Sequence, residues 1–288
     1  MMWKDKYRLG VAQIDQQHRA LFDMTEELVR AVKQGAAAAD YEKALGFLQA
    51  YVVEHFRDEE AYMASLQCKD LAAHRAEHQD FTKKVEDYGR RLKENGFDDK
   101  TMKDLAGTVT AWLIYHVVGT DQRSVAGTTA EEGEPPCYRC VDLFARSALE
   151  VLQAMAGFSP DAAVRESGDY VPEGDVFVRI GLVGQVEGTA VFGFSQKLAL
   201  ELVRAMTMME LDQVDELVES ALCEVTNIAC GNGATALVKR GLACDIRPPE
   251  LSRSSDGPEK GIGVVLDTEA GRLQIGLLLE DAEQQLLP

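Results

Sequence analysis

All five histidines of this 288-residue chain lie between positions 18 and 116, and each takes a place where an amphipathic helix would put a leucine or a valine. Apolar residues recur three and four apart along four stretches, the period of a helix with one buried face. The first stretch carries His18, Leu21, Phe22, Thr25, Leu28 and Val32 and stops near Gly35. The second begins around Asp40, the expected N-cap, and its seam is Leu45, Leu48, Val52, His55, Glu59 and Met63. The third has Leu71, His74, His78, Phe81, Val85, Tyr88 and Leu92 and closes at Asn95-Gly96. The fourth follows Asp98 and Asp99 with Met102, Leu105, Val109, Trp112 and His116. The connections are short, so consecutive helices are expected to be antiparallel neighbours in an all-α four-helix bundle.

A seam residue faces the core, where an imidazole or carboxylate without a partner costs roughly several kcal/mol. One histidine on such a face is ordinarily a satisfied core residue. Here His18, His55, Glu59, His74, His78 and His116 occupy four converging seams, and a metal is the partner that all of them can share. His55 and Glu59 are four apart, as are His74 and His78, so each pair lies on one helical face. His116 and Asp121 are five apart, about 140° around an ideal α-helix. They converge only if the helix ends or distorts there, and Gly119 between them offers the freedom to do so. The donors are nitrogen and carboxylate oxygen without sulfur, which suits iron or manganese better than structural zinc. Seven donors suit two octahedral ions bridged by carboxylates.

The order His … His-x3-Glu … His-x3-His … His-x4-Asp, with the segments GVAQIDQQH, HFRDEE, HRAEH and HVVGTD, resembles the bacterial hemerythrin-like domains over residues 10–123. The resemblance implies a metal site of two Fe ions, an oxo- or hydroxo-bridged pair. His74, His78 and His116 would hold one iron, His18 and His55 the other, and Glu59 and Asp121 would bridge both. O2 would be the ligand of the open position on the second iron. Leu, Phe, Met63 and Trp112 side chains are candidates for an apolar lining, though ordinary packing accounts for most of them.

Composition changes after the fourth helix. Residues 127–136, GTTAEEGEPP, have no apolar period and read as a linker. The expected division is a bundle over 1–126, a linker over 127–137 and a second domain over 138–288. Within the second domain, helices are expected over 138–156, 196–209 and 212–239. The segments DVFVRIGL and VEGTAVFGF within 175–194 read as strands, and 261–280 reads as a hairpin around Glu269-Ala270-Gly271. That order predicts an α/β or α+β domain.

On the helix over 212–239, Glu224 and Asn227 are three apart and share a face, with Ser220 one turn earlier. An E-x-x-N pair alone says little, because surface helices carry many. The run S-x3-E-x2-N, its Gly-containing continuation, Pro249 some way downstream and the preceding strands together resemble the CheX/CheC family of chemotaxis phosphatases, over residues 138–282. The earlier helix offers only Glu150 and Gln153, so a single site, as in CheX, is the expected form. The resemblance implies catalytic Glu224 and Asn227 acting on the aspartyl-phosphate of a CheY-like response regulator. Asn227 would position the attacking water, Glu224 would pair with the regulator's lysine, and the regulator would supply Mg2+. It also implies a homodimer formed through the C-terminal domain.

The net charge of −18 is uneven: residues 1–128 carry −3 and residues 129–288 carry −15. An acidic surface repels a polyanion, so no nucleic acid partner is expected; a partner with a basic patch fits the second half, as does simple solubility. No run of about 18 apolar residues appears, so no membrane span is expected. The N-terminus lacks a secretory pattern, so a cytoplasmic location with reduced thiols is the expectation. Cys137 and Cys140 form a C-x2-C that cannot complete a zinc site alone; a redox switch at the junction and chance placement both remain open. Cys223 and Cys230 share a helix face and read as core packing.

Besides nitric oxide or peroxide handling at the same metals, two functions are consistent with these readings. One is oxygen sensing at a di-iron site coupled to a phosphatase. The other is O2 or iron binding and storage, with the C-terminal domain serving only dimerisation or partner binding.

Overall fold

The computed structural model describes residues 3–4, 7–66, 68, 71–121, 140–158, 160–170, 173–253 and 259–279. The expected linker at 127–137, with Cys137, lies outside them. The chain forms two compact units.

The first unit is four helices, α1 (Ala12–Gln34), α2 (Ala38–Ser65), α3 (Leu71–Asn95) and α4 (Asp99–Tyr115), followed by a π-helical turn, His116–Asp121. Contacts of α1 with α2 and α4, of α2 with α3, and of α3 with α4 close the four into a ring around one core. Leu21, Phe22, Leu28, Leu48, Val52, Met63, Phe81, Val85, Leu92, Met102, Leu105 and Val109 are buried in it, the apolar seams read from the sequence.

The helix ends follow local chemistry. Gly35 closes α1 in the left-handed conformation at φ 63°, its N–H turned back to the carbonyls of Ala31 and Val32. Asp98 caps α4 by accepting the Thr101 N–H at 2.8 Å. Asp40 is not a cap: α2 begins two residues earlier, with Ala37 as N-cap and no side-chain bond. Asp40 sits instead in the first turn, where its charge opposes the positive end of the helix dipole.

The second unit comprises α5 (Cys140–Ala156), β1 (Pro160–Tyr170), β2 (Val176–Gly184), β3 (Gly188–Phe194), α6 (Gln196–Thr207), α7 (Glu216–Val238), β4 (Cys244–Ile246), β5 (Glu250–Ser252), β6 (Glu259–Thr268) and β7 (Gly271–Leu279). The sheet order is β1-β6-β7-β3-β2-β4, with β5 also on β2. Every pairing is antiparallel, which makes this an α+β rather than an α/β unit. The β6–β7 hairpin is in register from Ile262↔Leu277 to Thr268↔Gly271. Helices α5 and α7 pack on each other and on the sheet. Three strands were not foreseen. β1 lacks an apolar-polar alternation, and β4 and β5 are three residues each, too short for a periodic signal.

No helix among the described residues is long and apolar enough to cross a membrane.

Candidate functional site

The seven polar side chains of the bundle seams meet in one place. His18, His55, Glu59, His74, His78, His116 and Asp121 are each at most 2% exposed. Their donor atoms fall into two groups. Atoms of Glu59, His74, His78 and His116 lie within 4.8 Å of one another, and so do atoms of His18, His55 and Glu59.

Asp121 joins the cluster because the helix changes pitch. In an α-helix a residue five positions after His116 would point away. From His116 to Asp121 the backbone is π-helical, with bonds closing from residue i to i+5, so residues five apart stack over each other. Gly119 contributes through size rather than through backbone freedom, because it is not among the glycines with positive φ. A Cβ there would come within 3.2 Å of the Tyr115 ring.

The two carboxylates lie between the groups and each reaches both, Glu59 Oε2 also standing 3.7 Å from His55 Nε2. Glu59 turns Oε1 to His18 Nε2 (3.5 Å) and Oε2 to His74 Nε2 (3.3 Å) and His78 Nε2 (3.4 Å). Asp121 turns Oδ2 to His18 Nε2 (3.4 Å) and Oδ1 to His116 Nε2 (3.1 Å) and His74 Nε2 (3.6 Å).

The outer nitrogens of three imidazoles are held from outside the cluster. His55 Nδ1 meets Gln17 Oε1 at 3.3 Å, His78 Nδ1 meets Glu60 Oε1 at 2.9 Å, and His116 Nδ1 meets Glu77 Oε2 at 3.1 Å. Because the carboxylates at His78 and His116 only accept, both Nδ1 atoms carry a proton, and in the neutral rings Nε2 is left with a lone pair aimed into the cluster. Those two Nε2 atoms nevertheless face each other at 2.8 Å. Two lone pairs at that distance repel, and either a proton between them or a metal ion facing both relieves the repulsion. Neither ring nitrogen of His18 makes a hydrogen bond. Burial lowers His55 to about 3 and His116 to about 4, leaving both neutral and able to donate at neutral pH. For Glu59 burial works against the charge, but the imidazoles of His18, His74 and His78 outweigh it and hold the carboxyl well below the ordinary range. The donors present therefore fit a pair of cations.

Aromatic rings wall the cluster. Phe56 stacks on His78 at 3.7 Å between centroids, Trp112 on His116 at 4.2 Å, and Phe81 on Trp112 at 3.8 Å. Gln17, Glu60 and Glu77 escaped the sequence reading. They sit one position off the seam, where periodicity assigns a residue to the helix flank; the signal was their adjacency to His18, Glu59 and His78.

In the second unit Glu224 and Asn227 lie on α7, whose N-terminus is capped by Asp215 accepting the Val218 N–H at 3.2 Å. Asn227 is half-buried, while Glu224 and Ser220 are each 6% exposed. On α5, Glu150 is exposed and paired with Arg146 at 3.5 Å. Cys140 and Cys230 are buried, and burial pushes the Cys140 thiol up to about 11 and the Cys230 thiol higher still. Neither forms a reactive thiolate at neutral pH.

Comparisons with known proteins divide the chain the same way. The family model described as "Hemerythrin HHE cation binding domain" matches residues 9–124, and "Chemotaxis phosphatase CheX" matches residues 176–261. A bacteriohemerythrin of Clostridium acetobutylicum is 33% identical over 128 residues, 43% of this chain and 98% of that protein. The CheY-P phosphatase CheX of Thermotoga maritima is 34% identical over 131 residues, 44% of this chain and 84% of that protein. Among solved structures, a CheC-like superfamily protein from Shewanella aligns with 49% of this chain and 97% of its own, at 24% identity and a TM-score of 0.44. The chain belongs to the hemerythrin family through its first half and to the CheX family through its second, a fusion of the two.

Proposed function

We propose that the bundle holds a non-haem di-iron centre that binds O2, and that the C-terminal unit dephosphorylates a CheY-like response regulator under its control. The observation that carries the first part is the division of Glu59 and Asp121, each with one oxygen toward His18 and the other toward the three-histidine group. Carboxylates so placed would bridge two ions. In this reading His74, His78 and His116 hold one iron, and His18 and His55 hold the other. An iron pair, when bound, supplies the electrons for reversible O2 binding. The chain's own residues do the rest. The two carboxylates would hold both ions, and the imidazoles would donate Nε2. Phe56, Phe81 and Trp112 exclude water, which slows irreversible oxidation.

For the second part, the support is the named activity of the CheX relative together with Asn227 partly open on α7. The Asn227 amide orients a water toward the phosphorus of the aspartyl-phosphate. Hydrolysis then returns the aspartate and releases inorganic phosphate. The Mg2+ comes from the regulator. Glu224 pairs with the regulator's lysine and sets the docking register. The unit dimerises in this reading, and the protein works in the cytoplasm.

The burial of Glu224 favours one alternative, in which the second unit only binds a partner and the bundle stores O2 or iron. Metal analysis together with visible spectra taken with and without O2 tests the first part; a chain without iron overturns it. Asn227→Ala is expected to abolish phosphatase activity and leave the O2 spectrum intact. An unchanged phosphatase rate in that variant would overturn the catalytic assignment of Asn227, and a parent chain without phosphatase activity would favour the alternative. Equal phosphatase rates for reduced, oxidised and oxygenated protein would refute the coupling.

A further inference from the structure

The outer hydrogen bonds of the imidazoles follow a rule. Gln17 of α1 serves His55 of α2, Glu60 of α2 serves His78 of α3, and Glu77 of α3 serves His116 at the end of α4. Each partner comes from the preceding helix and is the chain neighbour of a residue in the cluster. His18 and His74 have no hydrogen-bond partner at Nδ1.

The three partners are chemically unequal. Two carboxylates back the His74, His78 and His116 group, and a neutral amide backs the His18 and His55 group. Either kind of acceptor fixes the Nδ1–H tautomer and aims Nε2 inward. Only the carboxylate also pushes electron density into the ring and strengthens Nε2 as a donor. Glu60 is itself moderated, because its Oε2 accepts from Arg75 Nε at 3.0 Å. Arg75 is 48% exposed at the side chain, on the wall of an outer groove between α2 and α3. His78, Glu60 and Arg75 thus form a line from the cluster to solvent.

We propose that Glu60 and Glu77 are positioning residues that make the three-histidine side the stronger donor, so that the iron it would hold has the lower reduction potential, and that Arg75 tunes this difference from the surface through Glu60. The inference rests on the di-iron reading above and deepens it. Its physical core is a difference in charge next to the rings: two carboxylates bond directly to imidazoles of one group, while on the other side an amide stands between His55 and the outer anion Asp58, which accepts from Gln17 Nε2 at 2.9 Å.

The test uses full-length, iron-loaded protein, with iron content, stepwise midpoint potentials followed by visible spectra, and iron(II) affinity by chelator competition. Zinc affinity of the metal-free chain gives a readout independent of redox chemistry. Glu60→Gln and Glu77→Gln keep an acceptor but lose the charge. Both are expected to retain two irons per chain while the first oxidation moves to higher potential. Glu60→Ala and Glu77→Ala lose the acceptor as well and should weaken iron(II) and zinc affinity by about 10- to 100-fold. Arg75→Gln leaves Glu60 more anionic and should move the first potential the opposite way, downward. Gln17→Glu combined with Asp58→Asn, which keeps a donor facing the new carboxylate and brings the anion up against His55, should lower the second potential and narrow the gap between the two steps. A role confined to packing would not produce shifts of opposite sign from the two ends of one ion pair. Wild-type potentials in both glutamine variants, or a shift of Arg75→Gln in the same direction as Glu60→Gln, overturn the inference while leaving the di-iron reading standing. A parent chain that loads no iron overturns both.

Discussion

Tyr7 shows how a single buried hydroxyl sets a pH limit on the bundle. It is 2% exposed and stacks on Phe22 at 5.3 Å, with Trp3 edge-on at 5.9 Å. Burial disfavours its phenolate and pushes it up to about 12. The folded value lies above the ordinary value of about 10, so the unfolded chain loses this proton first. The associated stability is fully present below about pH 10 and is lost as pH climbs toward about 12. Thermal melts at about pH 9 and about pH 11 are expected to show a smaller alkaline loss in Tyr7→Phe than in the parent. At this scale the sequence was most informative where function concentrates polar residues. His18, His55, Glu59, His74, His78 and His116 stood out because each replaced an apolar residue in a helical period. Gln17, Glu60 and Glu77 did not stand out. A residue one position off the seam looks like any solvated flank until the neighbouring helix is placed beside it.

At the scale of elements, two glycines set close approaches. Gly119 lies in the π-helical turn, where a Cβ would meet the Tyr115 ring at 3.2 Å. Gly119→Val should cost about 1–3 kcal/mol by overpacking and, by displacing Asp121, lower the iron content. Thermal melting and metal analysis of the same preparation read both effects. Gly233 on α7 faces Phe144 of α5, where an added Cβ would come within 2.7 Å of the ring. Gly233→Ala should therefore also cost about 1–3 kcal/mol, read as a lower denaturant midpoint, with iron binding unchanged. The long amphipathic helices and the β6–β7 hairpin were legible because many residues repeat one period. The short strands β4 and β5 were not, because their pairing depends on β2, which is far away in the chain. The π-helical turn was half legible: five-residue spacing between His116 and Asp121 demanded a distortion, but spacing alone does not choose between a helix end and a change of pitch.

For the whole molecule, the two units carry separate cores, one lined by the helix seams and one between the sheet and α5 with α7. Separately expressed halves, residues 1–126 and 138–288, are each expected to fold, with all bound iron following the first; circular dichroism and metal analysis of the two pieces check this. A first half that remains unfolded alone would show that the cores are not independent. The sequence by itself determined the bundle, the cluster's membership and the family of each half, because periodicity and unusual polar residues on apolar faces are local properties of a chain. Only the tertiary structure decided that the second unit's sheet is antiparallel throughout, that Glu59 and Asp121 each reach both histidine groups, and that carboxylates back one group and an amide the other. Those are relations between side chains on different elements, set by packing distance and direction, which one-dimensional spacing does not carry.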